Sequence, residues 1–474
     1  MQVITKTKSK YLKDPREQTL FHRFAIAYIF ALYIMPQYFG IPNPVFDLTA
    51  VRVMIIALLG FIICDYNRYL SFTNLISTEK IGKYLLPYIF VLLYTMVLRA
   101  DLNAFLNPFI EILELFLMVY VIRDCIGVDK MVSLVMGFIY FLVIMGIIES
   151  FLQFSPFSLL VNLQGVYAGT FVRGGHYRVM SNCAHSLGYG LLLMTALPFE
   201  GYDMETGKYD ILRRPVLLVG IIVNVFMTGS RSTLGILFLE LLLMLVLTEK
   251  NVLKKDIFFI GVSFVIFVLV IICLQKTSFG NYVLLQLTSV IDALLGTEYS
   301  VAYGADLMAL TGSTAYRDQL KSIFSVSWLN PLVGIGRKRN FQAEINGTVI
   351  ISVDNFYIAE YIRYGYPGMI TYIIFLLYMV INMVRDMYRT KSALIKTIFI
   401  GSFCYLLHLY IADSLQTLKY LYLLFAIYLC CDRNEQVFEN KSRYIKKRVL
   451  FKSFRRSDLA YSNKLKKESK YAKK

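Results

Sequence analysis

Arg231 sits in Thr228-Gly229-Ser230-Arg231-Ser232, wedged between two apolar runs. A guanidinium at the centre of a membrane helix costs about 2.5–3.5 kcal/mol unless it is paired. Its planar fork matches a phosphate bidentately. A helix starting at Ser232 would aim free backbone N–H groups at the same anion. Together these features predict a pyrophosphate cradle at the external face, where Arg173, Arg178 and Arg317 also lie against the positive-inside bias. For the run Arg337-Lys338-Arg339, contact with lipid headgroups and contact with substrate are equal readings.

Carboxylates supply the other half of the chemistry. Asp354 and Asp318 are external or at the rim, Glu360 lies early in the tenth apolar run, and His185 flanks the Arg178 region. Glu111 and Glu114 are three residues apart on one helical face, and Glu149 and Glu240 lie in or near apolar runs. Intramembrane carboxylates are functional candidates by default, although structural pairing with Arg52 or Arg99 accounts for Glu111 and Glu114 as well. The histidines, His22, His176, His185 and His408, are scattered. There is no CxxC, HExxH or GxxxxGK[ST], so neither a metal site nor a cofactor is expected.

These residues need a scaffold, and composition supplies its class. Of the 474 residues, 57% are hydrophobic and 17% are charged, yet the net charge is +17. A soluble multi-domain enzyme, a disordered chain and a disulfide scaffold are excluded. Apolar runs predict an all-α, polytopic membrane bundle of about twelve helices. They fall at 20–40, 50–64, 84–98, 104–121, 131–153, 184–199, 215–229, 232–248, 257–274, 355–384, 394–412 and 417–431. The membrane domain is then 20–431, between a basic N-terminus at 1–19 and a basic tail at 432–474. With both termini cytoplasmic, 36 of the 49 lysines and arginines fall on the inside, as the positive-inside bias requires. The tail suits anionic lipid headgroups, and no nucleic-acid partner is expected.

Two external segments are long enough for chemistry, 154–183 and the large loop 275–354 before the tenth span. Within the loop, residues 282–295 predict an amphipathic helix on the bilayer surface. A second helix is expected from Thr314 to Trp328, ended by Asn330-Pro331 and followed by a flexible turn at Gly334 and Gly336. Trp328 is the expected interfacial anchor.

Three segments, taken in order, resemble the O-antigen polymerase and ligase family, membrane glycosyltransferases that use polyprenyl-diphosphate-linked glycans. They are Arg178 to Gly188, Thr228 to Ser232 with its Leu-rich helix, and Arg317 through Asn330-Pro-Leu-Val-Gly-Ile-Gly336 to Asp354-Asn355. Nine residues after Asn355 comes Gly365-Tyr-Pro-Gly368, similar to the ligase pattern of His-Asn, nine residues and GxxG. Asp354 stands where that pattern has histidine, which tilts the resemblance toward a polymerase.

The resemblance implies glycosyl transfer at the outer face of a bacterial cell membrane, in exopolysaccharide, capsule or O-antigen assembly. An acceptor hydroxyl displaces a polyprenyl diphosphate from the donor sugar, with inversion. Donor and acceptor are lipid-linked oligosaccharides, and partners extend to the bilayer and other polysaccharide-assembly proteins. The implied roles are catalytic for Asp354, Arg231 and Arg317. Arg178, Arg173, Arg337, Arg339, His185 and Glu360 would bind diphosphate or glycan. The alternatives are ligase-like transfer to another acceptor and a flippase for the same lipid, which an internal repeat would favour.

Overall fold

Most helices begin on a polar side chain that accepts one of the first free N–H groups. In the computed structural model Thr49, Asp65, Asp101, Ser230, Thr277, Asn355 and Ser392 all do this. The structure describes residues 15–43, 47–163, 169, 171–173, 176–305, 316, 318–345, 347–350, 352–413 and 415–431. The basic tail and most of the N-terminal basic segment lie outside them, as does Arg317.

The helices are α1 (Pro15–Tyr33), α2 (Ala50–Cys64), α3 (Tyr66–Thr78), α4 (Ile81–Arg99), α5 (Leu102–Val121), α6 (Val128–Leu152) and α7 (Ser186–Ala196). There follow α8 (Pro215–Met227), α9 (Arg231–Leu247), α10 (Lys250–Leu274), α11 (Ser278–Leu295), α12 (Phe356–Thr390), α13 (Ala393–His408) and α14 (Leu418–Cys430). Among the described residues the strands form only short antiparallel ribbons. These are β1–β2 (Gly40–Ile41, Leu48–Thr49), β3–β4 (Val172–Arg173, His176–Tyr177), β5–β6 (Tyr202–Asp203, Lys208–Tyr209) and β7–β8 (Ala343–Ile345, Thr348–Ile350).

Each of the twelve apolar runs holds a helix. Among the described residues, length and apolarity qualify six helices for a crossing: α4, α5 with its π-helical extension to Ile126, α6, α10, α11 and α12. α2 and α3 qualify only as a pair, bent by 112° at Asp65, whose side chain caps the second of them. Helix α3 was not expected from the sequence. α11, expected on the bilayer surface, is by length and composition itself a candidate span.

The helix expected from Thr314 to Trp328 is much shorter where it is described. Asp318 and Gln319 are helical, a 3₁₀ turn covers Leu320–Ser325, and extended backbone at Val326 ends it. Trp328 lies beyond that turn, 54% exposed.

One large core runs through the bundle. A second, smaller core joins Leu320, Ile323, Leu329, Ile335 and the β7–β8 ribbon to Ile358, Tyr361 and Ile362 of α12. The described part of the late loop from Leu320 onward thus packs on the first turns of α12.

Candidate active site

Two glycine- and proline-bearing segments, far apart in the chain, meet at a break in α12. Gly365 takes φ 68° and ψ −172°, a non-helical conformation open to glycine, and Pro367 has no N–H. Two carbonyls, of Ile362 and Arg363, therefore lose their usual partners four residues on. The N–H of Tyr366 donates instead to Pro331 O (2.7 Å). Ile335 N–H supplies Ile362 O (2.8 Å), and Gly336 N–H supplies Arg363 O (3.0 Å). Every freed group is thus satisfied by residues 331–336. Asn330 Oδ1 shapes that segment by accepting from Leu332 and Val333 N–H, and Tyr94 Oη donates to Leu332 O.

The docked segment delivers Arg337 to the bundle. Asp101, in the turn between α4 and α5, caps α5 with Oδ1 and accepts from Arg337 and Lys338 N–H with Oδ2. The Arg337 side chain donates through Nε to Tyr364 Oη (2.8 Å). Tyr364 in turn donates to Ala104 O (2.8 Å), the carbonyl that Pro108 cannot serve within α5. Burial works against the Arg337 charge, but Tyr364, Glu111 and Glu360 outweigh it and hold its pKa above the ordinary arginine value.

Arg337 lines a cavity of about 440 Å³. Arg52, Glu111, Glu114 and Lys419 supply its other central charges, and Asn103, Asn107, Gln37 and Gln416 its amides. Arg52 donates to Asp47 O (2.9 Å) and Asn107 Oδ1 (2.7 Å). Lys419 Nζ and Glu114 Oε1 are buried with no hydrogen-bond partner. Two smaller pockets adjoin. One shares Glu111 and Arg337 and reaches Tyr88, Glu360 and Tyr422. The other shares Gln37 and Gln416 and reaches Asn182, Cys183 and His185. Glu360 accepts from Tyr88 Oη (2.8 Å) and from Arg363 (3.2 Å), which also pairs with Asp413. Among the described residues no three His, Cys, Asp or Glu side chains gather as a metal site.

Residues 216–373 match the family model described as O-antigen ligase. By this segment, a third of its length, the chain is similar to the O-antigen polymerase/ligase family. Among curated proteins none matches the chain. The family segment contributes Arg337 and Glu360 to the cavity and its side pocket. Arg52, Glu111, Glu114 and Lys419 come from helices outside it.

The site residues predicted from the sequence divide into groups. Arg337, Glu360 and His185 line the cavity's side pockets. Arg178 and Arg231 belong to the α8–α9 turn instead. Arg178 Nε donates to Thr228 O (2.7 Å) and packs on Gly229, which holds φ 59°. Arg231 opens α9 behind the Ser230 cap. His176 packs on Tyr282, whose hydroxyl donates to Phe226 O beside the same turn. Arg178 and Arg231 of the expected cradle thus share one turn, which is separate from the cavity that Arg337 lines, and Arg317 lies outside the described residues.

Arg173 lies in the β3–β4 ribbon, and Arg339 is exposed. Asp354 is half-buried and accepts from Ser352 Oγ (3.2 Å), directly before the Asn355 cap and outside the cavity lining. Glu111 and Glu114 face the cavity together with Arg52, and no ion pair among the described residues joins them to Arg52 or Arg99. Lys419 and Asp101 were missed. A lone lysine within an apolar run was the available signal for Lys419. Asp101 gave none beyond its capping position.

Proposed function

We propose that this membrane protein is a polymerase-type glycosyltransferase that joins polyprenyl-diphosphate-linked repeat units at the outer face of a bacterial cell membrane. The observation that carries the proposal is Arg337. The family's own segment folds so as to bring this arginine into a charged, amide-lined cavity. Its Nε is committed to Tyr364, and no described partner takes its two terminal nitrogens. They are the natural ligands of the diphosphate, with Arg52 on the facing wall. The leaving diphosphate gains charge as the glycosidic bond breaks, so guanidinium groups fixed beside it favour the transition state over the ground state. Asn and Gln side chains along the same walls suit sugar hydroxyls.

Asp354 in place of the ligase histidine favours polymerisation over transfer to another acceptor. Arg231 and Arg178 at the α8–α9 turn would hold a second anionic or glycan segment.

The test is the intermediate that accumulates. Cells carrying Arg337→Ala in place of the natural chain should collect single lipid-linked repeat units on the outer leaflet, and Arg231→Ala should do so to a lesser degree. Normal polymer from Arg337→Ala would remove the cavity from the mechanism. In cells lacking the chain, full polymer left on its lipid carrier would indicate a ligase, and repeats trapped inside would indicate a flippase.

A further inference from the structure

The carboxylates around the cavity are not equivalent. Glu360 is 1% exposed and held by Tyr88 and Arg363. Glu114 is 5% exposed, with one oxygen sealed from any partner. Glu111 is half-buried, opens onto the cavity, and takes part in no described hydrogen bond or ion pair. Among the described residues only Glu111 and Arg337 line both the cavity and the cleft toward Glu360, whereas Asp47, another carboxylate of the cavity wall, does not reach that cleft.

Local structure explains the placement. Asn107, Glu111 and Glu114 share one face of α5 at helical spacing. Asn107 holds the Arg52 guanidinium (2.7 Å) one turn from Glu111. Glu111 is faced by Arg52 from α2, Arg337 from the loop, and Glu360 and Arg363 from α12. Lys419 and Tyr422 of α14, Tyr88 of α4, Tyr372 of α12 and Tyr405 of α13 also face it.

We propose that Glu111 is the general base of the transfer, working beside the arginine that holds the departing diphosphate. The proposal rests on the glycosyl-transfer function argued above. The acceptor O–H bond breaks and its proton passes to the Glu111 carboxylate. The oxygen's electron pair forms the new bond to the anomeric carbon. The bond from that carbon to the phosphate oxygen breaks, and its electron pair leaves on the polyprenyl diphosphate. Water later takes the proton from Glu111. A displacement needs a base near the acceptor and a cation near the leaving group, and Glu111 and Arg337 line one and the same cavity.

The test uses the whole protein reconstituted in liposomes with glycolipid extracted from cells deleted for this chain. Binding of undecaprenyl diphosphate is measured separately. Glu111→Gln should lower kcat by about 10²–10⁴-fold while leaving that binding within about twofold, and Glu111→Asp should recover part of the loss. The wild-type rate should fall on the acid side of its profile, and the residual Glu111→Gln rate should not. Unchanged kcat and pH profile in Glu111→Gln would overturn the proposal. So would loss of undecaprenyl diphosphate binding together with kcat, which would make Glu111 a donor-binding or structural residue. If Asp354→Asn alone abolishes kcat, the base is Asp354 and the transferase function stands. If the wild-type protein forms no glycosidic bond from this glycolipid, both proposals fail together.

Discussion

Asp101 Oδ2 accepts the backbone N–H of Arg337 at 2.6 Å, across 236 residues of chain. The same oxygen takes Lys338 N–H at 2.7 Å, so one carboxylate fixes the segment that carries the cavity's central cation. The fit is close, because a Cβ on Gly336 would lie 2.5 Å from that oxygen.

Charge-assisted hydrogen bonds contribute about 1.5–3 kcal/mol each. Asp101→Asn keeps one oxygen to cap α5 but turns an NH2 group toward the Arg337 and Lys338 N–H groups, so both bonds to the loop are lost. We expect it to fold, to lose about 1–3 kcal/mol of stability, and to lower polymer synthesis at least about tenfold through misplacement of Arg337. Asp101→Ala should be worse on both counts. Thermal unfolding in detergent and polymer length on gels check this pair, and wild-type synthesis by Asp101→Ala would refute it.

Two glycines separate conformational strain from crowding. Gly334 (φ 66°) and Gly347 (φ 76°) both occupy the left-handed region. A Cβ at Gly334 would meet the Arg363 and Ile362 backbone at 2.5 Å, and one at Gly347 would meet nothing within 4 Å. Gly347→Ala should cost about 1–2 kcal/mol, the left-handed penalty alone, with synthesis unchanged. Gly334→Ala must push residues 331–336 off α12, and synthesis should be lost. Equal effects from the two substitutions would show that the docking of this segment is unimportant.

Much of this arrangement was legible in the sequence, for physical reasons. Apolar runs marked where helices form, and the Gly334 turn was visible because glycine widens backbone choice locally, whereas the helix expected to run to an Asn330-Pro331 stop ends already at Val326. Arg337 and Glu360 could be named because a charge beside an apolar run is costly. What joins them was not legible. The α12 break accepts N–H groups from a distant segment, and Asp101 acts across 236 residues, so no local pattern encodes either contact. Lys419 was hidden in an apolar run. Glu111 and Glu114 were visible but ambiguous, because intramembrane carboxylates serve both structure and chemistry.

Glu149 offers a test of the early loop. Its Oε1 accepts from Tyr177 Oη (2.9 Å) and Met180 N–H (2.8 Å), and its Oε2 from Ser181 N–H (2.8 Å). One buried carboxylate thus ties residues 177–181 to α6, just before the Asn182–His185 pocket wall. An amide has only one acceptor oxygen, so Glu149→Gln must leave a buried N–H facing another N–H. We expect a loss of about 1–3 kcal/mol and faster proteolysis near residue 180. Stability and cleavage identical to wild type would show that the loop is held elsewhere.

Glu200 lies at the opposite end of the bundle and makes stability depend on pH. It is fully buried just after α7 and its 3₁₀ extension, and Oε1 accepts from Arg214 N–H (2.6 Å) while Oε2 has no partner. Burial, with Asp210 and Asp256 adding to it against the opposing effect of Arg214, pushes its pKa from 4.5 up to about 8. The folded state then binds the proton more tightly than the unfolded chain. Stability should therefore fall as pH rises from about 4.5 through about 8, and level off above. Glu200→Gln keeps the acceptor for Arg214 and carries no titrating group. Its thermal midpoint should lack this share of the slope and exceed the wild-type value at pH 9, whereas parallel curves for the two proteins would rule out a protonated Glu200.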